Sequence, residues 1–234
     1  MRIVIPTQKT EDEYRKSQAY LSLKAIQTNL VRRSDMVYTE FIISIFPENT
    51  TGLPELYNNV LAQDIDREDN IIVFLHDDVE IHDIFFVEKL LKAHEKYDIV
   101  GLAGAATQKY DRDLPSVWHL SMAKPSDGRG FVSHAIPHNG GYINSAYFGP
   151  TPSSVVLIDG LMISVNRQVL NEKDIKFDES FKFHHYDMSF CYQANAKDAK
   201  IGVWPIFVIH HGLGEFDTDD WRQSDKNFKQ KYLK

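Results

Sequence analysis

The sequence predicts a single α/β domain built on a mostly parallel central sheet flanked by helices. Three observations predict it. Short apolar runs alternate with helical patterns over the first two thirds of the chain, the sign of a sheet assembled from strand–helix–strand units. The run Ile71-Ile72-Val73-Phe74-Leu75 is apolar at every position, as a strand covered on both faces must be. The chain has 234 residues, of which 43% are hydrophobic and 12% aromatic, enough for one large core.

Taken in order, Ile3-Val4-Ile5 opens as a strand, a polar helical stretch runs from about Glu11 to Leu30, and Phe41 to Phe46 is the second strand. Gly52 and Pro54 mark a helix start, with Leu53, Leu56, Tyr57, Val60 and Leu61 on one face. After the central strand, Asp83 is positioned to cap a helix that ends near Tyr97, and Ile99 to Ala103 forms the next strand. From Thr107 to Ser154 the pattern dissolves into Gly, Pro, Ser, His and aromatics, exemplified by His134-Ala135-Ile136-Pro137-His138-Asn139-Gly140-Gly141-Tyr142. A stretch this long without regular structure reads as a binding loop, and its Trp118, Phe131, Tyr142, Tyr147 and Phe148 favour an ordered one. Val155 to Ile158 and Leu161 to Val165 restore strand pattern, followed by a helix from Asp187 to Lys197 and a strand from Ile201 to Ile209. The domain is expected to close near residue 214, leaving 215–234 as a polar C-terminal tail.

Charge and composition narrow the partners. The formal net charge is -7, and Lys and Arg are scattered, so no basic footprint exists for nucleic acid or an anionic membrane. No apolar run approaches the ~20 residues of a membrane helix, so no integral membrane segment is expected. A single cysteine, Cys191, excludes an internal disulfide and fits a cytoplasmic setting.

Candidate chemistry sits at strand ends. His76-Asp77-Asp78 follows the central strand, at the edge where open α/β sheets bind ligands. Paired carboxylates there suit Mn²⁺ or Mg²⁺ shared with substrate phosphates, although for the tripeptide alone a strand-end turn with solvated acids is the favoured reading. His210-His211 follows the last strand; because neighbours in extended chain face opposite ways, one of the two at most reaches a common site. Asp187 opens a helix, where it is either an N-cap or a base kept ionised by the helix dipole. Asp159-Gly160 lies between two short strands, as a tight turn or a place of close ligand approach.

The ordered set of these segments resembles a GT-A fold glycosyltransferase, of the family 2-like inverting branch, from Ile3 to about His211. The matching segments are Val4-Ile5-Pro6-Thr7; Glu48-Asn49-Thr50-Thr51-Gly52-Leu53-Pro54-Glu55-Leu56-Tyr57-Asn58; the DxD-like Phe74-Leu75-His76-Asp77-Asp78-Val79; Ile158-Asp159-Gly160; Phe177-Asp178-Glu179-Ser180-Phe181; the base region Phe183 to Phe190; and Val208-Ile209-His210-His211. Two positions depart from the pattern. His76 stands where the first acid of DxD belongs, as in a related branch with His-x-Asp-Val, and Tyr186-Asp187 stands where Glu-Asp is usual.

The resemblance implies a Rossmann-like sheet with a nucleotide-binding half over 1–106 and an acceptor half over 107–214 that carries the long loop 107–154. It further implies transfer of a sugar from a nucleotide-diphospho-sugar, with UDP the commonest nucleotide, to a hydroxyl acceptor on a glycan, a lipid-linked sugar or a small molecule. Asp78, His210 or His211, and His76 would hold Mn²⁺ or Mg²⁺. Pro6, Thr7, Glu48, Asn58, Asp77, Asp159 and Gly160 would bind the donor, and Asp187 would be the general base. Two alternatives stay open: a non-catalytic nucleotide- or glycan-binding module of the same fold, and a metal-dependent hydrolase using the same Asp and His set.

Overall fold

The structure is a computed structural model that describes residues 1–32, 41–63, 70–109, 111, 113–136, 141–212, 214 and 216–233. In chain order its elements are β1 (Arg2–Pro6), α1 (Glu11–Tyr14), α2 (Gln18–Arg32), β2 (Ile42–Phe46), α3 (Leu53–Ala62), β3 (Ile71–Leu75), β4 (Val79–Ile81), α4 (Phe86–His94), β5 (Ile99–Gly101), β6 (Ala103–Ala105) and β7 (Gly128–Ile136). They continue as β8 (Tyr142–Gly149), β9 (Ser153–Ser154), β10 (Leu157–Ile158), β11 (Met162–Asn166), α5 (Arg167–Glu172), α6 (Tyr186–Ala196), β12 (Ile201–Val203), β13 (Val208–His210) and α7 (Asp219–Tyr232).

Among the described residues the central sheet has seven strands in the order β2-β1-β3-β11-β5-β12-β9. Strands β2, β1, β3, β5 and β12 run one way; β11 and β9 run the other. The mostly parallel expectation therefore holds by direction, while β11, inserted antiparallel between β3 and β5, ties the two halves of the chain into one sheet. All five residues of β3 pair with β11, and Ile72 to Leu75 are buried, as its unbroken apolar run requires. Helix α3 buries the face read from its sequence, Leu53, Leu56, Tyr57, Val60 and Leu61.

A second sheet, in the order β10-β6-β7-β13-β4 with β8 beside β7, was not expected. It arises because two segments read as single strands each break and change sheet. The stretch Ile99 to Ala103 splits at Leu102 into β5 in the large sheet and β6 in the second. The stretch Ile201 to Ile209 splits across Trp204 to Phe207, where Pro205 removes a ladder donor, into β12 and β13.

Four further expectations are corrected. The helix expected from Glu11 to Leu30 is two, because Thr10 and Glu13 form a capping box on a short α1 that ends before Gln18. The loop 107–154 is largely a hairpin, β7 paired with β8 from Gly130–Gly149 to Ile136–Tyr142; Pro137, His138, Asn139 and Gly140 of that loop lie outside the described residues. Asp83 does not cap α4, since Phe85 occupies that position; its carboxylate accepts from Lys89 Nζ at 2.6 Å and the Phe207 amide at 3.2 Å, joining α4 to the segment before β13. The expected polar tail is helix α7, begun by Thr218 accepting from the Trp221 amide, with Asp219 and Asp220 in its first turn and Lys229 and Lys231 in its last, as the helix dipole favours. It buries Trp221, Asp225 and Phe228. No helix among the described residues is long and apolar enough to cross a membrane.

Candidate active site

Strand β13 builds the site. It runs antiparallel to β4 and parallel to β7, so that His210 pairs with Val79 on one side and His134 on the other. Because Asp78 immediately precedes β4, this register brings it against His210, whose Nε2 lies 3.4 Å from Asp78 Oδ1. His76, at the end of β3, completes a group of three whose ligand atoms all lie within 4.8 Å of one another. Burial raises the Asp78 pKa, but the hydrogen bond and charge of His210 outweigh it and hold the carboxylate below its ordinary range. Burial keeps His76 below the ordinary imidazole pKa, and thus neutral near pH 7.

The group fits a divalent cation on its own geometry. Two imidazoles and a carboxylate form a mixed N/O donor set. At Gly212 a Cβ would stand 2.5 Å from Asp78 Oδ2 and 3.0 Å from His210 Nε2, so that side of the group stays open because the residue is glycine.

The expected residues separate into four places. Asp78, His76, His210, Asp159, Gly160 and Asp187 line one cavity of about 620 Å³. Asp77 points the other way, accepting from Thr7 Oγ1 and from Lys9 Nζ at 2.7 Å; Thr7 follows Pro6 at the end of β1, and the Glu48 amide donates to Lys9 O at 3.0 Å. Pro6, Thr7, Glu48 and Asp77 thus form a neighbouring cluster at the ends of β1, β2 and β3. Asn58 joins neither: its side chain bonds the Phe177 carbonyl and amide, both at 2.9 Å, and Glu179 Oε1 at 2.8 Å, clamping α3 to the 177–179 segment beside a separate cavity of about 470 Å³. His211 leaves the group as well, its ring bonded to Glu80, which also holds His82 Nε2 at 2.7 Å. Of the two adjacent histidines, His210 is the one beside Asp78.

Asp187 lies inside the first turn of α6 rather than at its cap, which is His185 in a left-handed conformation at φ 62°. The expectation that the helix dipole keeps it ionised is corrected. Burial first, and the charge of Asp159 second, push its pKa up to about 7, against the lowering effect of the Met188 amide at 2.8 Å. Asp159 is fixed by Trp118 Nε1 at 2.8 Å and the Leu161 amide at 3.0 Å. At Gly160 a Cβ would stand 2.4 Å from the Tyr186 hydroxyl, so only glycine admits this packing.

Several lining residues escaped the sequence reading of roles. His134 comes from the stretch read as irregular, yet Gly128 to Ile136 carries enough alternation to be a strand, and that strand delivers it to the cavity with its ring centroid 5.4 Å from that of His210. Trp118 reads from the sequence as a loop aromatic, and nothing in the sequence signals its bond to Asp159, 41 positions away. Trp221 and Phe216 come from the segment read as a tail.

Comparisons with known proteins follow this geometry. A search of curated proteins finds no match. Among solved structures, protein A197 from STIV aligns with a TM-score of 0.47 and 14% identity, over 94% of this chain and 86% of that one. Residues 1–349 of S. aureus TarS align with TM-scores of 0.46 alone and 0.48 in complex with UDP, both at 14% identity over 90% of this chain. The chain spans 60% of those TarS structures. A family model described as "Glycosyltransferase like family" matches residues 37–232, most of the chain. By that match the chain belongs to the glycosyltransferase-like family and is a glycosyltransferase.

Proposed function

We propose that the protein transfers a sugar from a nucleotide-diphospho-sugar, with UDP the favoured nucleotide, to a hydroxyl acceptor, with inversion at the anomeric carbon. The observation that carries the reading is the convergence, on one cavity, of a cation-ready group, His76, Asp78 and His210, and a carboxylate poised near neutrality, Asp187.

In this reading His76, Asp78 and His210 would hold a divalent cation at the donor site. Bound there, the cation would neutralise charge developing on the departing nucleotide. Two imidazoles favour Mn²⁺ over Mg²⁺, because Mg²⁺ demands an oxygen shell. Thr7, Pro6, Glu48 and Asp77 receive the nucleoside at the adjoining strand ends, and Asp159 with Gly160 shapes the floor beneath the donor sugar. Asp187 accepts the proton of the acceptor hydroxyl as that oxygen attacks from the face opposite the diphosphate. A base with a pKa near the working pH combines a substantial ionised fraction with real proton affinity. Trp118 and Trp221 contribute apolar surface to the cavity in which that transfer takes place. The single free thiol, Cys191, is buried and is consistent with a cytoplasmic setting.

The test is Asp187→Asn, assayed with purified protein, Mn²⁺ and a panel of UDP-sugars by release of free UDP. The variant is expected to lose at least ~10³-fold in transfer while binding UDP as the wild type does. A variant that keeps most of its turnover removes Asp187 from the base role. Sugar release from the wild type at equal rates with and without any acceptor would instead identify a hydrolase.

A further inference from the structure

The two positions at which this sequence departs from the family pattern touch each other. His76 and Tyr186 are 110 residues apart, yet His76 Nε2 lies 2.9 Å from the Tyr186 hydroxyl. The same hydroxyl lies 2.8 Å from the Gly160 carbonyl oxygen. Two acids at these positions would face each other as like charges, whereas an imidazole and a phenol form a neutral hydrogen bond.

Proton bookkeeping then fixes the direction of each bond. A carbonyl oxygen only accepts, so the single phenolic proton of Tyr186 goes to Gly160. The hydroxyl has lone pairs left for His76, so Nε2 must carry the imidazole proton and donate. An imidazole able to ligate a metal carries one N–H only, so a proton on Nε2 leaves Nδ1 as the nitrogen bearing a lone pair. The phenol ring cannot readily turn away: Tyr186 is 3% exposed, its centroid lies 5.9 Å from that of Tyr57, and Gly160 supplies the carbonyl at a place where any side chain would collide with the hydroxyl.

We propose that Tyr186 is a positioning residue for the cation group, holding His76 in the single tautomer and orientation in which it offers its lone-pair nitrogen to a divalent metal. The inference rests on the metal-dependent reading of His76, Asp78 and His210. Ligating imidazoles generally owe their tautomer to a partner on the other ring nitrogen, and removal of such a partner weakens metal affinity by roughly 10–100-fold.

The experiment uses the full chain and Mn²⁺ alone. Tyr186→Phe removes one oxygen and keeps the buried ring. Mn²⁺ affinity, read by electron paramagnetic resonance of the free ion, is expected to fall roughly 10–100-fold. Long-range ¹⁵N–¹H spectra of the metal-free protein are expected to change from a pure Nε2–H tautomer at His76 to a mixture. A His76→Asp background separates positioning from mere packing: a carboxylate has no tautomer to set, so adding Tyr186→Phe there should cost no further Mn²⁺ affinity. Unchanged affinity in the single variant, or an equal loss in the His76→Asp background, overturns the proposal. Because the tautomer is read without metal, an Nδ1–H wild type refutes the positioning role by itself. Absence of Mn²⁺ binding by a wild type with pure Nε2–H refutes the metal reading instead.

Discussion

At the scale of the residue, the site turns on two carboxylates with opposite electrostatic fates. Asp78 sits beside an imidazole and is held below the ordinary carboxylate range; Asp187, half-buried in the cavity lining, is pushed up to about 7 by burial first and by the charge of Asp159 second. The second gives a pH signature. If Asp187 is the base, transfer should be slow where it is protonated, rise with pH through about 7, and level off above, rather than rise near the ordinary carboxylate value of about 4. Asp159 supplies the charge part of that shift, so Asp159→Asn should move the midpoint downward, and at about pH 6 the variant should keep a larger fraction of its own plateau rate than the wild type. A kcat profile with the same midpoint in both would dissociate the two aspartates. These residues were legible in the sequence as types and positions, since Asp78, Asp159, Asp187 and His210 were all singled out. Their protonation was not, because it depends on the approach of Asp159 to Asp187 through the fold. Nor was the fate of His211 or Asn58 legible, since a pair such as His211 with Glu80 is separated by 131 positions.

At the scale of the element, the strand β13 and the helix α7 decide what reaches the cavity. The sequence reading found most apolar runs but misjudged where they break, because a strand that passes from one sheet to another keeps its apolar character across the bend. Periodicity cannot report such a change of partner at Leu102 or Pro205. Helix α7 carried readable signals, an N-cap threonine, acids first and lysines last, yet its low hydrophobicity masked them. Its role is to hold the corner before Asp187: Ser224 Oγ donates to the His184 carbonyl at 3.0 Å and pairs with His185 Nδ1 at 2.9 Å, while Asp225 accepts from the Ser116 amide at 2.8 Å. Phe228 anchors the helix, fully buried among Phe181, His185, Tyr192 and Tyr232. Truncation of such a residue leaves a cavity and costs about 3–5 kcal/mol. Phe228→Ala is therefore expected to lower the chemical-denaturation stability by that amount in a single cooperative transition. An unchanged midpoint would mean that α7 is a detachable appendage after all.

At the scale of the whole molecule, the two sheets divide the labour. The large sheet presents the carboxyl ends of β1, β2 and β3, with Thr7, Asp77 and Lys9 linked to one another, while the second sheet carries His210 to the cation group, with His134 paired beside it. The site lies where they meet, so neither half of the sequence alone contains it. The fold class and the ordered motifs were open to sequence reading because they depend on local runs. The second sheet was not, because it is assembled from short strands of two to nine residues drawn from across the chain. The central claim, a donor site built around a cation held by His76, Asp78 and His210, is tested most directly by calorimetric titration of UDP, GDP and dTDP into the purified protein, each with and without Mn²⁺, repeated on Asp78→Ala. Binding of one nucleotide, UDP by this account, that requires Mn²⁺ and is lost in the variant is the predicted result. Absence of binding by every nucleotide under both conditions, or binding indifferent to Mn²⁺ and to Asp78, would contradict it.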